Sequence, residues 1–263
     1  MEIVSGISNK YNRYGEELNT HDLFKFAAIV IMTIDHLGFY IFPEHLWLRA
    51  IGRITFPVWF FLVGYAKNLS IKKDILLLAL IMVPLKLLAL KTLLPFNALA
   101  TIILCRIIIQ YMDKNGWIKK YPLAILALSV ILVLPTGALC EYGTQGLLYA
   151  CMGYMVRNDL KYEKYRLFFI ITFLLFFLMQ IASFHFNTPK SVFVFLATAF
   201  VTWLLSEYKV QTFPMRWHGV RNVIKFLSRY SLYYYTIHIT FLQALYVWLD
   251  PARYKAMHFH IIL

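Results

Sequence analysis

Three ionisable side chains stand in a stretch of sequence that is otherwise apolar enough to cross a membrane. Residues 24–42, FKFAAIVIMTIDHLGFYIF, contain Lys25, Asp35 and His36. An ionisable side chain near the centre of a bilayer costs roughly 2.5 to 3.5 kcal/mol on insertion scales, so such groups are retained mainly where they pair, line a cavity or react. Lys25, Asp35 and His36 are therefore the first candidates for chemistry.

The spacing of Lys25 and His36 places both side chains on one face of a helix. They are eleven residues apart, which is about 16 Å along an ideal helix axis and leaves them within roughly 20° of each other. Met32 and Tyr40 flank His36 on that face, at i−4 and i+4. Imidazole titrates near neutral pH, which suits it to remove a proton from an amine or a hydroxyl. One helix face thus carries a cation near its start and a candidate general base about three turns further on.

Asp35 points about 100° away from His36, so the two neighbours do not pair by simple helical geometry. Arg49 and Arg53 are spaced i, i+4 in the next apolar run and share a face. We predict an ion pair between Asp35 and Arg53. Such a pair is compatible with two readings, a structural link between the first two helices and a contribution to catalysis, and the sequence leaves both open.

Three further polar residues fall within or at the edges of apolar runs. Arg106 is a candidate for binding phosphate or for reaching the membrane surface with its head group. Lys86 follows Pro84 near mid-span and is expected to face a cavity rather than lipid. His238 is a candidate to line the same cavity as His36 or to form a hydrogen bond that packs helices.

The three cysteines give no sign of a metal site or a disulfide framework. Cys105, Cys140 and Cys151 are odd in number and form no CxxC motif. We expect them to be packing residues, and we predict no metal cofactor.

Composition indicates that membrane-spanning helices hold these residues. Of the 263 residues, 60% are hydrophobic and 15% are charged, and the mean hydropathy is +0.63. Such a chain is atypical of soluble domains, and its apolar residues come in runs of membrane-spanning length. We predict an all-α, polytopic helix bundle with about nine transmembrane helices, at residues 23–42, 46–66, 74–92, 96–112, 122–139, 144–157, 165–184, 188–207 and 230–249.

The Lys and Arg residues behind the net charge of +13 are concentrated on one side of the predicted spans. This arrangement argues against a nucleic-acid partner. Of the 26 Lys and Arg residues, seventeen fall on one side of the predicted spans, four on the other and five within spans. The positive-inside rule then puts the N-terminus in the cytoplasm. We expect a polar cytoplasmic segment over residues 1–22, a single transmembrane domain over 23–249 and a short external tail over 250–263. The first span is predicted to be a retained anchor.

The longest polar interval, residues 208–230, reads as a loop followed by a short basic amphipathic helix at the cytoplasmic surface. Contact with membrane lipids explains its composition, and a role in substrate binding is the alternative.

Four blocks of the sequence resemble the TraX family, which is named for the F-pilin N-acetylase of conjugative plasmids. They are LFKFAAIVIMTIDHLG, LRAIGRITFPVWFFLVGYAKN, EYGTQGLLYACMGY and SLYYYTIHITFLQAL, and together they span most of the chain. The DHLG and GRITFP elements are the specific part. The separation of Lys25 and His36 is also similar to the Arg/Lys, ten residues, His pattern of the acyltransferase-3 membrane proteins.

The resemblance implies transfer of an acyl group, usually acetyl from acetyl-CoA, from the cytoplasm to an acceptor in or across a bacterial inner membrane. His36 would be the catalytic residue and Lys25 the basic residue associated with the acyl-CoA, although arginine is commoner there. Pilin, glycan, lipid and peptide acceptors all suit this reading, as do direct transfer and an acyl-histidine. We predict His36 and Asp35 as catalytic residues, and as donor-binding residues Lys25, Arg53, Lys86 and Arg106.

Two other classes of function are compatible with buried charges. A transporter or proton-coupled carrier would use Asp35, His36, Lys86 and His238 as a polar path. However, the sequence shows no paired halves with matching interrupted helices. A structural assembly factor would leave the register of Lys25 and His36 unexplained.

Overall fold

A computed structural model describes residues 17–160, 162–249, 251 and 260–262. The fold is all-α, as predicted. The helices are α1 (Thr20–Tyr40), α2 (Leu46–Gly52), α3 (Thr55–Tyr65), α4 (Lys73–Leu90), α5 (Ala98–Lys114), α6 (Trp117–Lys120), α7 (Pro122–Ile131), α8 (Val133–Leu139), α9 (Gly143–Arg157), α10 (Tyr162–Phe184), α11 (Thr188–Ser206), α12 (His218–Arg229) and α13 (Ser231–Leu249). Four short strands accompany them: β1 (Leu18–Asn19), β2 (Thr92–Leu94), β3 (Thr212–Phe213) and β4 (His260–Ile262). Most of the predicted polar N-terminal segment and external tail lies outside the described residues.

Several helices are suited to a membrane, so the chain is a membrane protein. Within the described residues, four stretches are long and apolar enough to cross a bilayer: Thr20–Tyr40, Leu46–Tyr65, Tyr165–Phe184 and Thr188–Ser206. The α7–α8 pair makes a fifth if it is one span. Helices occupy all nine predicted positions, but α9 has only 15 residues, about 22 Å against a hydrocarbon core of about 30 Å. The number of spans and their orientation stay predictions.

Two of the predicted spans contain a break between helices a few residues before a proline. The run at 46–66 separates into α2 and α3 at residues 53–54, three to four positions before Pro57. The run at 122–139 bends by 65° between α7 and α8, at Leu132, three residues before Pro135. A proline ring clashes with the carbonyl group four residues earlier and removes a helical hydrogen bond, so the break falls just before it.

Short contacts between loops define the two ends of the bundle. At the end where α1 begins, β1 pairs with β3, and the Asn19 side chain caps α1 by accepting a 2.9 Å hydrogen bond from the Asp22 amide. At the other end β2 pairs with β4, and Phe96 pairs with Cys140. We call these the Lys25 end and the Glu141 end, after residues used below.

The core lies where α3 and α9 cross at close range. A Cβ on Gly64 would overlap the Ala150 backbone, and a Cβ on Gly153 would overlap the Phe61 carbonyl group. Small residues at such crossings let helix backbones approach and gain van der Waals contact in a lipid environment. The α3–α9 pair therefore forms a fixed scaffold, against which α1 is positioned.

Candidate active site

Asp35 lies between two arginines of the neighbouring helix segment. It forms ion pairs with Arg53 and, at 2.9 Å, with Arg49. Arg49 also donates to the Asp35 backbone carbonyl at 2.9 Å. The segments meet closely because residue 52 is glycine, where any Cβ would overlap the Asp35 side chain. The predicted pairing of Asp35 with Arg53 is confirmed, and Arg49 joins it.

A hydrogen-bonded chain runs from His36 into α13. Nδ1 of His36 lies 2.7 Å from Nε2 of His238, and Nδ1 of His238 lies 2.8 Å from the Tyr234 carbonyl oxygen. A carbonyl oxygen only accepts, so Nδ1 of His238 carries the proton and its Nε2 accepts from Nδ1 of His36. This assignment leaves Nε2 of His36 as an unprotonated acceptor. Of the two readings of His238, the structure supports the hydrogen bond between helices, because the described walls of the two cavities beside His36 do not include His238.

A narrow cavity of about 70 Å³ lies on the Lys25 side of His36. Its wall includes Met32, one turn before His36, together with Leu99 and Leu232. Thr55 and Trp59 of α3 complete it. Most of these side chains are apolar, so the cavity suits a slender chain better than a bulky polar group.

A wide cavity of about 600 Å³ lies on the Glu141 side of His36. Its wall is rich in polar side chains, among them Tyr40, Arg49, Gln180 and Gln243. Its volume falls within the range of about 300 to 1,000 Å³ usual for ligand sites.

The two cavities meet at His36. The walls of the two cavities have five residues in common, which are Asp35, His36, Glu141, Tyr142 and Tyr235. Because Met32 lines the narrow cavity and Tyr40 lines the wide one, the two neighbours of His36 on its helix face mark the two sides. His36 is therefore part of the wall of both cavities.

Glu141 and Lys86 both line the wide cavity. Lys86 donates its Nζ proton to the Pro95 carbonyl oxygen, and the attraction between Lys86 and Glu141 favours the ionised carboxylate. Burial has the larger effect and raises the pKa of the Glu141 carboxyl, which lies in the loop between α8 and α9. The expectation that Lys86 faces a cavity is confirmed.

Three cations gather at the Lys25 end. Arg106 and Lys72 lie close enough to the Lys25 ammonium to repel it electrostatically, and the Asp22 carboxylate attracts it more strongly than either cation repels it. Lys25 donates to the Ser228 carbonyl oxygen at 3.5 Å, and Arg106 donates to the Ser70 carbonyl oxygen at 3.1 Å. Lys72 is exposed. Clustered cations of this kind are complementary to an anionic group such as a phosphate.

The structure therefore divides the four residues expected to bind the donor. Lys25 and Arg106 are together at the Lys25 end, whereas Arg53 and Lys86 line the wide cavity. Arg53 is also engaged by Asp35 and, at 3.3 Å, by Gln180. A single phosphate-binding group made of all four is not formed, and donor binding stays a prediction for Lys25 and Arg106.

Several residues that line one or both cavities were not singled out from the sequence. Glu141 lies in a connecting loop, and Tyr142 and Tyr235 look like ordinary aromatic membrane residues. Gln145 and Gln180, whose side chains form a 3.5 Å hydrogen bond, are buried amides within apolar helices. The feature that singled out Lys25 and His36 was a polar residue inside an apolar run, and the two glutamines share it. The feature is a weaker indication for neutral side chains than for charged ones.

Comparison with known proteins supports the resemblance seen in the sequence. Residues 20–246 match the family model described as TraX protein. An uncharacterized protein of Rickettsia prowazekii (strain Madrid E) is 28% identical over 240 residues, which cover 88% of this chain and 93% of that protein. No solved structure matches the chain.

Proposed function

The chain belongs to the TraX family, and from that premise we propose that it is a multi-pass acetyltransferase of the bacterial inner membrane. It transfers acetyl from acetyl-CoA to an amine or hydroxyl of an envelope acceptor. The observation that carries this proposal is the position of His36 at the junction of the narrow and wide cavities. One imidazole is thereby accessible to two substrates that enter from different sides.

The Lys25 end and the narrow cavity suit the shape of an acyl-CoA. This donor carries phosphates at one end and a thioester at the far end of a slender arm. Lys25, Lys72 and Arg106 supply positive charge at the Lys25 end, and the narrow cavity has His36 in its wall. Phosphate binding by Lys25 and Arg106, with the arm in the narrow cavity, places the thioester beside the imidazole.

His36 acts as a general base in this proposal. Its Nε2 takes a proton from the acceptor while the acceptor nitrogen or oxygen attacks the thioester carbonyl carbon. The tetrahedral intermediate then collapses with cleavage of the carbon–sulfur bond, and the proton passes from Nε2 to the departing thiolate. Access from both cavities supports direct transfer rather than an acyl-histidine, because donor and acceptor can be bound at the same time.

His238 and Asp35 act as positioning residues. His238 accepts the Nδ1 proton of His36 and so keeps Nε2 free as the base. Asp35 is held by Arg49 and Arg53 and is not free to take a proton from a substrate. We therefore revise the role predicted for Asp35 from catalysis to fixing α1 against α2.

The wide cavity receives the acceptor. Its volume and its polar wall, which includes Gln180, Gln243 and Glu141, suit a group rich in hydrogen-bonding atoms. The terminal amine of a pilin, a glycan hydroxyl, a lipid head group and a peptide all meet this requirement.

A transporter or proton-coupled carrier is the second candidate, because Asp35, His36 and Lys86 line one cavity and His238 contacts His36.

One experiment separates the acetyltransferase from the carrier. Purified protein in nanodiscs is given acetyl-CoA labelled in the acetyl group together with an envelope extract from cells that lack this chain. We expect label in an extract component and release of free CoA. Absence of transfer, combined with solute uptake into proteoliposomes, would favour the carrier.

A further inference from the structure

Two residues that line the narrow cavity each carry a hydrogen-bonding atom without a partner within the described residues. These atoms are Oγ1 of Thr55 and Nε1 of Trp59, and both atoms are buried. Nearly all buried polar groups in folded proteins are hydrogen-bonded to protein or water, so unpaired ones call for an explanation. Both residues line the same cavity as His36.

The helix geometry makes these two side chains neighbours. Thr55 and Trp59 are spaced i, i+4 on α3, so their side chains are neighbours on one helix face. That face is held rigidly because α3 packs against α9 with backbone contacts at Gly64 and Gly153. The two groups are thus preorganised, which is the property that makes a donor effective in a transition state.

The chemistry of the two groups selects their partner. The indole N–H of Trp59 only donates, and the Thr55 hydroxyl is also able to donate. An atom that binds both groups is therefore an acceptor, located in the cavity beside His36, whose wall also includes apolar residues such as Leu99 and Leu232. An apolar wall strengthens the interaction of a donor with developing negative charge.

We propose that Thr55 and Trp59 form the oxyanion hole of this enzyme, donating two hydrogen bonds to the thioester carbonyl oxygen of acetyl-CoA. The inference rests on the proposed acetyltransferase function. When the acceptor attacks the carbonyl carbon, the π electron pair moves onto this oxygen, and the two donors stabilise its negative charge. When the carbon–sulfur bond breaks, the carbonyl re-forms and the CoA thiolate takes the proton from His36.

The test uses the full chain in nanodiscs with Thr55→Val, Thr55→Ser and Trp59→Phe, which change one hydrogen-bonding group each. Thr198→Val and Trp203→Phe are the matched controls, because Thr198 bonds the Val194 carbonyl oxygen and Trp203 is exposed. Two quantities are measured, single-turnover acetyl transfer at saturating acetyl-CoA and the binding of S-ethyl-CoA. This thioether has the same arm but lacks the carbonyl oxygen.

We expect Thr55→Val and Trp59→Phe each to slow transfer by about 10²- to 10³-fold, the usual loss for one oxyanion-hole donor. Thr55→Ser and both controls should stay within a few-fold of the parental rate, and S-ethyl-CoA binding should not change.

Parental rates in folded Trp59→Phe and Thr55→Val would overturn the oxyanion hole while the proposed function stands. Weaker S-ethyl-CoA binding at an unchanged transfer rate would also overturn it, because the donors would then hold another part of the arm. Absence of transfer by the unsubstituted protein would overturn the proposed function and this inference together.

Discussion

At the scale of single residues, the hydrogen-bonded chain from His36 through His238 to the Tyr234 carbonyl explains how one imidazole is kept ready as a base. The chain fixes which ring nitrogen of His36 carries the proton. An unsupported imidazole exchanges tautomers and rotates, and it then presents the wrong nitrogen to the acceptor for part of the time. His238 should therefore affect the rate of transfer and not the binding of the donor.

His238→Phe removes the acceptor and keeps a ring of similar size, so we expect the maximal rate to fall by about 10²-fold with an unchanged KM for acetyl-CoA. His238→Gln offers its amide oxygen in place of Nε2 and should restore most of the rate. The measurement is steady-state transfer by both variants after a check of folding. Equal losses in the two variants, or a loss confined to KM, would show that His238 only packs against α1.

Lys25 has a different task in the same account. Lys25→Gln should weaken acetyl-CoA binding, because one of three clustered cations at the Lys25 end is lost, while saturating donor should recover much of the rate. Lys25→Arg keeps the charge and should be mild. Lys190→Gln, at the Glu141 end beside Asn187, is the matched control. The assay is equilibrium binding of acetyl-CoA, and unchanged affinity in Lys25→Gln would remove this residue from the donor site.

The sequence was most informative about charged residues that lie within apolar runs. The register of Lys25 and His36 and the pairing of Asp35 with Arg53 follow from helix periodicity and from the cost of burying a charge. Thr55 and Trp59 could not be recognised in this way, because a threonine and a tryptophan are unremarkable in an apolar helix. They are distinguished by two structural facts together, the lack of hydrogen-bond partners within the described residues and a place in the wall of the narrow cavity.

At the scale of elements, the apolar runs gave the helix positions well and their continuity less well. Run length predicts where a helix lies, but the α2–α3 break and the α7–α8 bend depend on how each proline is accommodated by its neighbours. Pro84 lies within α4, which stays one helix, whereas Pro57 and Pro135 follow interruptions. Packing decides between these outcomes, and a single sequence does not contain that information.

The contact between α1 and the α2 segment leads to a prediction about stability. Asp35→Asn leaves two buried arginines without their carboxylate and should lower the free energy of unfolding by about 3 to 5 kcal/mol. Arg53→Gln should cost less, because Arg49 still pairs with Asp35. The double variant should lose less than the sum of the single losses. Thermal unfolding in detergent, with the exposed Arg216→Gln as control, measures this, and strictly additive losses would mean that the pair is not coupled.

At the scale of the whole molecule, the account depends on opposite environments at the two ends of the bundle. The cation cluster at the Lys25 end requires cytoplasmic acetyl-CoA, and the wide cavity at the Glu141 end requires an acceptor from the envelope. The uneven distribution of basic residues in the sequence predicts this orientation. The helix lengths do not establish that every predicted span crosses the membrane, since α5 and α9 have only 17 and 15 residues.

Accessibility labelling tests the orientation directly. Single cysteines are placed at Lys72 and Lys190 in a background without Cys105, Cys140 and Cys151, which are buried in the described structure. We expect a membrane-impermeant thiol reagent to label position 190 in intact spheroplasts, and position 72 only after lysis. Labelling of both positions from the same side would contradict the separation of donor and acceptor.

In the proposed mechanism, Nε2 of His36 takes the proton of the acceptor. The most direct measurement of this role is single-turnover acetyl transfer by His36→Ala in nanodiscs with acetyl-CoA prebound. We expect a loss of at least about 10²- to 10⁴-fold, the usual contribution of a general base, with nearly unchanged acetyl-CoA binding. His218→Ala, which alters an exposed histidine of α12, should transfer at the parental rate. A folded His36→Ala protein that also transfers at the parental rate would contradict the account, because the two cavities would then meet at a residue that takes no part in the reaction.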